Sequence, residues 1–423
     1  MTGAGAAAGG AAGGAGVRGA GAAVPSFVFA YPEEAALAGP DALAAHVAAL
    51  GFGGIAVALT YHRARRVFPR WGRVSVSGSG HVAFAPERSR YGALAPACTT
   101  SAEEVRTVHE LRAACARRDL RFHAWLVALH DERLVAALPE AGVQTADGSP
   151  AGHALCPAHP AARAYVAEMV ADVCAQLEPD AIELEAAAFP AWEPAYTITL
   201  ALEPVSPAAA RYGAQCFCPS CRSAIAAAGE DPEQLAHATR AAAGSPFAPA
   251  PARASARNGG STTVSVGDPP LLDPGALDAR LAAVRARLLE PLIAGAAEAA
   301  HGGGATLRPC AFGEPASVAL QGIGPASLAA ADGLLLGLGT ASGAELLDDF
   351  AALRPRAGEL PVTASVNWAP ARTPSALAAD ARALRDAGAA GVALYNLTLA
   401  PEGALPAFAA AARALNPTPS EAR

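Results

Sequence analysis

Short apolar runs rich in β-branched and aromatic residues alternate along the chain with longer stretches rich in Ala, Leu and Arg. The short runs have the length and composition of buried strands, and the stretches between them carry the caps and glycine stops of helices. Eight strands are predicted in this way, at Phe27–Pro32, Gly54–Tyr61, Arg121–Leu129, Asp180–Phe189, Thr306–Phe312, Gly333–Leu338, Pro361–Trp368 and Gly391–Leu399. Because helical stretches separate them, parallel strands with right-handed crossovers are expected.

Eight strand–helix units favour a closed (β/α)8 barrel, the TIM-barrel fold of the α/β class, over an open doubly wound sheet. The first βα turn has no G-x-G-x-x-G motif, which weakens a dinucleotide-binding alternative. The barrel is predicted over residues 25–416, with a long insertion at 190–274 after strand four. Residues 1–24 and 417–423 are expected to be tails. A hairpin is predicted within Arg66–Pro86, around the turn Gly78-Ser79-Gly80.

The amino-acid composition excludes several classes of enzyme and of binding partner. None of the 31 basic residues is Lys, which excludes lysine Schiff bases, pyridoxal-phosphate enzymes and P-loop kinases. The net charge of −7 argues against nucleic-acid and anionic-membrane partners. The Gly/Ala-rich start resembles neither a signal peptide nor a membrane span, so a cytoplasmic location is expected. The eight cysteines are then expected to be reduced.

The densest motif is C-x-C-x-x-C, formed by Cys216, Cys218 and Cys221. A tetrahedral zinc site needs four ligands, and Cys156 is the best candidate for the fourth, with His153 and His159 as weaker ones. A redox cluster is the alternative interpretation. The remaining cysteines, Cys98, Cys115, Cys174 and Cys310, are expected to be small buried hydrophobic residues.

The segment Leu155–Val166, the acidic fourth strand and Cys216–Arg222 together resemble the family 42 β-galactosidases and related glycoside-hydrolase-like barrels. The resemblance covers roughly residues 120–225 by motif and the whole barrel by the order of elements. It implies a structural zinc held by Cys156, Cys216, Cys218 and Cys221. It also implies a small-molecule carbohydrate at the carboxyl ends of the strands. The oligomeric state stays open.

Strand alternation places the candidate site residues on the interior face at the barrel mouth. Glu185 is the first choice for a general acid or base, and its counterpart is expected to be Glu193 or Glu314 in a loop, or water. Glu183 is a second catalytic candidate, but an ion pair with Arg308 is the favoured interpretation because a buried carboxylate needs a partner. The remaining polar and aromatic groups are predicted to bind the sugar: His62, His123, Trp125, Arg308, Asn367 and Tyr395.

The chain departs from the family pattern at the catalytic positions. The family's Asn-Glu pair at the end of strand four is replaced by Glu185-Ala186-Ala187-Ala188, and its nucleophilic Glu on strand seven by Asn367-Trp368-Ala369. A retaining mechanism requires two carboxylates about 5 Å apart. Two hypotheses therefore remain: a glycoside-hydrolase-like enzyme that uses Glu185, and a non-catalytic carbohydrate-binding barrel.

Overall fold

The structure is a computed structural model that describes residues 24–78, 80–97, 101–191, 205–244 and 273–416. Its centre is a ring of eight parallel strands. The strands are β1 Ser26–Ala30, β2 Gly54–Tyr61, β3 Arg121–Val127, β4 Ala181–Glu185, β5 Thr306–Phe312, β6 Leu334–Gly337, β7 Val362–Asn367 and β8 Gly391–Tyr395. Strand β1 pairs with both β2 and β8, so the sheet closes. The predicted (β/α)8 barrel is confirmed.

Thirteen α-helices are present among the described residues, most of them packed around the ring. They are α1 Pro32–Ala38, α2 Pro40–Leu50, α3 Ala102–Ala116, α4 Glu132–Ala137, α5 Pro160–Leu177, α6 Pro207–Gly213, α7 Pro219–Ala227, α8 Pro232–Ala243, α9 Pro274–Gly302, α10 Pro315–Leu320, α11 Gly343–Leu353, α12 Pro374–Asp386 and α13 Leu405–Leu415. Many begin with proline, whose missing N–H and fixed φ suit the first helical position. Caps at Asp273 and Thr373 satisfy further N–H groups.

Two apolar layers follow from the alternation along each strand. Phe27 and Phe29 point into the ring, where they pack with Trp125. Val28 between them belongs to the larger layer that lies between the strands and the surrounding helices. The side chains of β1 therefore alternate between the interior of the ring and the layer beneath the helices.

Short additional strands lie outside the eight-stranded ring. The hairpin after β2 pairs Ala64–Phe68 with Arg73–Ser77 around Gly72, which has a φ of 57°. His81–Val82 pairs instead with the end of β2. The predicted turn at Gly78-Ser79-Gly80 is therefore wrong, because Pro69–Gly72 already forms the turn; Ser79 lies outside the described residues. A second hairpin joins Gly142–Gln144 to Pro150–Leu155.

Between β4 and α9 the described residues form α6, α7 and α8, within the predicted insertion. Most of the predicted tail at residues 1–24 lies outside the described residues, as does the tail at 417–423. Val24 is buried, and its N–H lies 3.4 Å from the carbonyl oxygen of Leu415. None of the described helices is long and apolar enough to cross a membrane.

Candidate functional site

Two carboxylates of β4 face the interior of the barrel, as predicted, but their surroundings differ. Glu183 is fully buried, and both of its carboxylate oxygens accept hydrogen bonds from Arg308 on β5, including one of 3.2 Å from Nε. The Nδ1 atom of His123 lies 3.1 Å from the same carboxylate. The predicted ion pair is confirmed.

The ionisation of this group follows from the same contacts. Burial alone would raise the pKa of Glu183, but the charge of Arg308 and the hydrogen bonds from His123 and Arg308 outweigh it and lower the pKa. Burial lowers the pKa of His123, so its imidazole is neutral at neutral pH. With both oxygens occupied, Glu183 holds Arg308 and His123 in place inside the ring, and its geometry does not favour a role in proton transfer.

Glu185 ends β4 at the mouth of the barrel and is partly exposed. Its Oε2 accepts a 2.7 Å hydrogen bond from the indole N–H of Trp125. Burial raises the pKa of Glu185 to about 7, although the hydrogen bond from Trp125 opposes the shift. No second carboxylate among the described residues contributes to this shift. The chain turns sharply directly afterwards, because Ala186 has a left-handed φ of 52°.

A wall of tyrosines lies beside Glu185. The hydroxyl of Tyr31 lies 3.0 Å from that of Tyr61 and 2.9 Å from that of Tyr395. Burial raises the pKa of all three phenols, so they remain protonated and can donate hydrogen bonds. The negative charge of Glu185 raises the pKa of Tyr61 and Tyr395 further, so the carboxylate is close enough to interact with both phenols.

The hairpin after β2 contributes a residue that the sequence analysis did not single out. Arg66 is buried, and its guanidinium carbon lies 4.4 Å from the centroid of the Tyr31 ring. Its Nη1 donates a 3.1 Å hydrogen bond to Glu33. The sequence signal was weak, because Arg66 is one of three arginines within four residues and the predicted hairpin had a different register.

Histidines line the mouth beside β2 and β3. The ring of His62 stacks on Tyr61 with centroids 4.4 Å apart, and its Nδ1 lies 2.9 Å from the carbonyl oxygen of Arg63. His130 lies 6.5 Å from His62 and 5.7 Å from His153, between ring centroids. Burial, together with the two neighbouring imidazoles, lowers the pKa of His130 to about 3, so it is neutral.

The remaining candidates separate into three groups. Asn367 on β7 lies in register with Tyr395 on β8, at the same edge of the ring. Glu314 is exposed and forms an ion pair of 2.9 Å with Arg211, which leaves it engaged on the surface. Glu193 lies outside the described residues.

A cavity of about 560 Å³ is not at the position where the candidate polar and aromatic side chains lie. It lies between the hairpin, α1 and α3, where Glu33 and Glu104 are already paired with Arg66 and His81. A small cavity of about 40 Å³ lies at the mouth, beside His130 and Cys310. We place the candidate site at the mouth nevertheless, because the inward-facing polar and aromatic side chains converge there.

The four predicted cysteines come together in the folded chain. The sulfur atoms of Cys156, Cys216, Cys218 and Cys221 all lie within 4.8 Å of one another and all four residues are buried. Cys156 follows the strand Pro150–Leu155, and Cys218 and Cys221 begin α7. The N–H of Phe217 bonds the carbonyl oxygen of Gln144 at 2.6 Å, which ties the two loops together.

This cluster could hold a metal ion. The sulfur atoms of Cys156 and Cys221 are 3.4 Å apart, and the edges of a zinc–thiolate tetrahedron are about 3.8 Å. The weaker candidates are elsewhere: His159 caps α5 through Nδ1, and His153 lies beside His130. Cys115, Cys174 and Cys310 are buried as expected, and Cys98 lies outside the described residues.

The ion pair in the ring generates a first prediction. Replacing Glu183 by Gln leaves Arg308 without its anionic partner in a buried setting, which costs about 3–5 kcal/mol of unfolding free energy. Denaturant unfolding measures this loss, with Glu140→Gln, an exposed carboxylate, as the control. Equal stability of E183Q and E140Q would contradict the ion-pair interpretation.

Glu185 generates a second prediction, about pH. Since folding raises its pKa from 4.5 to about 7, the folded chain binds more protons than the unfolded chain between these values. The stability contributed by this group is therefore complete below pH about 4.5 and is lost as pH rises to about 7. Relative to E185Q, the wild-type chain is predicted to lose up to about 3 kcal/mol over this range.

Unfolding free energies of the two proteins across this pH range measure the effect. A difference between wild type and E185Q that stays constant from pH 4 to 8 would show that Glu185 titrates normally.

No protein-family model and no curated protein matches the chain. Among solved structures, it is similar to the glycoside hydrolase domain of PgaB (BpsB) from Bordetella bronchiseptica, at 14% identity and a TM-score of 0.55, covering 89% of this chain and 95% of that one. The catalytic domain of β-amylase from Paenibacillus polymyxa matches at 11% identity and a TM-score of 0.55, covering 91% and 96%. At such identities the likeness concerns the fold, and the chain shares the eight-stranded parallel barrel of these glycoside hydrolases.

Proposed function

We propose that the chain is a glycoside-hydrolase-like protein that acts on a carbohydrate at the carboxyl ends of its barrel strands. The observation that carries this proposal is the position of Glu185. It is a carboxyl with a pKa of about 7 at the end of β4, beside Trp125 and the tyrosine wall. An acid with such a pKa is partly protonated near neutral pH and can donate a proton to a glycosidic oxygen.

The residues around Glu185 suit a sugar. Protonated phenol groups such as that of Tyr395 can donate hydrogen bonds to sugar hydroxyls, and aromatic faces pack against the apolar face of a pyranose ring. His62, which stacks on Tyr61, and Asn367 supply further polar groups at the rim. His123 and Arg308 lie deeper, in the Glu183 ion pair, and would support the site from below rather than contact the sugar.

A non-catalytic carbohydrate-binding barrel is the second candidate. The observation that favours it is that two candidate counterparts of Glu185 are already engaged, since Glu183 is held by Arg308 and Glu314 by Arg211. Glycoside hydrolysis ordinarily uses two carboxyl groups, one to protonate the leaving group and one as base or nucleophile. Glu193 remains our proposed counterpart for the enzymatic alternative.

Aryl glycosides and oligosaccharides of several sugar classes test the proposal. We predict measurable turnover that falls on the alkaline side with an apparent pKa of about 7, because deprotonated Glu185 cannot act as an acid. Glu185→Gln is expected to lower kcat/KM by a factor of about 10²–10⁴. Glu140→Gln serves as the exposed control.

Sugar binding without turnover, retained in E185Q, would establish the binding barrel instead. Turnover by E185Q equal to that of E140Q would refute Glu185 as the proton donor. Neither binding nor turnover with any glycan would refute both candidates.

We also propose that the four-cysteine cluster holds a structural zinc ion. Four thiolates at tetrahedral spacing, closed off from solvent, are the donor set of structural zinc sites, whereas magnesium and calcium prefer oxygen ligands. Its position beside the starts of α5 and α7 would fix the chain that enters these helices. The ion would stabilise the fold rather than take part in catalysis.

Metal analysis of the purified protein tests this site. We predict about one zinc per chain, lost in Cys218→Ser together with thermal stability, because a structural zinc site contributes folding free energy directly. Cys115→Ser, a buried cysteine outside the cluster, is the matched control and should keep the metal. A wild-type chain that is folded and free of metal would refute the zinc proposal.

A further inference from the structure

A fully buried arginine lies against the four-cysteine cluster. Arg285 is on α9, on the apolar face that also carries Leu281 and Leu288. Its Nη1 donates a 3.4 Å hydrogen bond to the sulfur of Cys221, and its Nη2 donates to the carbonyl oxygen of Cys216. The guanidinium therefore contacts the ligand loop at two points.

Aromatic rings enclose the same guanidinium. Its carbon lies 4.4 Å from the ring centroid of Phe189 and 5.2 Å from that of Phe217. These contacts hold the group in one orientation and exclude water from it. The Nε atom is buried and has no hydrogen-bond partner among the residues that the structure describes. A side chain so enclosed can exchange few of its hydrogen bonds with solvent.

The charge of Arg285 needs an explanation. Burial of a cation is costly unless an anion lies close to it. Among the described residues no Asp or Glu forms an ion pair with Arg285, and its polar contacts are a thiol sulfur and a carbonyl oxygen. If the cysteines were neutral thiols or two disulfides, the guanidinium would have no anionic partner.

A tetrathiolate around a divalent ion changes this balance. Four thiolates and one Zn²⁺ carry a formal charge of −2, which is itself costly to bury. Arg285 supplies one positive charge in direct contact. Arg163 on α5 supplies a second positive charge nearby, because it bonds the carbonyl oxygen of Pro157, the residue that follows Cys156.

The two arginines differ in what they contact. Arg163 donates hydrogen bonds to the carbonyl oxygens of Pro157, at 3.0 Å, and Leu288, at 2.9 Å. It therefore supports the loop after Cys156 and acts on the thiolates only through space. Arg285 alone of this pair bonds a sulfur atom, which makes it the stronger candidate for setting the charge of the cluster.

We propose that Arg285 is the charge-balancing partner of the metal centre, so that its positive charge offsets part of the negative charge of the four-thiolate site and strengthens the binding of a divalent ion. The inference rests on the proposed zinc site and extends it to a residue outside the ligand set. It also disfavours the redox alternative, because forming disulfides would remove the thiolates that Arg285 pairs with.

Chelator competition for zinc, with the full-length protein, tests the role of Arg285. Arg285→Met keeps most of the side-chain volume and removes the charge, and it is predicted to weaken zinc binding by a factor of about 10–100. Arg287→Met, an exposed arginine two residues further along α9, is the matched control and should bind zinc as the wild type does. Zinc affinities of R285M and R287M within twofold of each other would overturn the proposal.

Arg285→Lys and Arg285→Gln separate charge from packing, and they remain informative where R285M does not fold. Both side chains can donate a hydrogen bond, but only lysine keeps the positive charge. The proposal predicts at least fivefold tighter zinc binding by R285K, and equal affinities would overturn it. A wild-type chain that binds no zinc would instead refute the underlying metal site, so the two failures are distinguishable.

Discussion

The low-dielectric interior of the closed ring constrains the two carboxylates of β4. Strand alternation turns Glu183 and Glu185 to the same inner face, where an isolated negative charge is costly. The chain resolves the two positions differently. Glu183 keeps its charge because Arg308 and His123 surround it. Burial raises the pKa of Glu185 to about 7, and the hydrogen bond from the indole of Trp125 offsets only part of this shift.

The two carboxylates therefore have different roles in the barrel. The ion pair lies inside the ring, below the mouth, where it joins β4 to β5 through charged side chains, and the neutral His123 adds a contact from β3. Above it, Glu185 is a titratable group of the mouth, beside the protonated Tyr31, Tyr61 and Tyr395. One carboxylate is therefore used for structure, and the other is available for chemistry.

The repeating strand–helix pattern was sufficient to predict the eight strands and the closed barrel, because parallel buried strands give continuous apolar runs. The same alternation predicted the Glu183–Arg308 pair, and the cysteine spacing predicted the four-thiol cluster. The hairpin register was mispredicted, because the hairpin turns at Pro69–Gly72 and not at the Gly-Ser-Gly segment 78–80. Arg66 was missed for the same reason.

Arg285 was missed although the sequence contains a signal. It is a charged residue at a buried position of an otherwise apolar helical stripe, between Leu281 and Leu288. Sequence periodicity identifies a charged residue at a buried position, but it does not identify the group that binds that residue. The cysteine loop lies more than 60 residues away along the chain and contacts α9 only in the folded structure.

The ionisation of Glu185 is the central claim, and carboxyl ¹³C NMR of glutamate-labelled protein measures it directly. The resonance that disappears in the E185Q variant belongs to Glu185. The account predicts that this resonance titrates near pH 7, and a titration midpoint near 4.5, the ordinary value for glutamate, would contradict it.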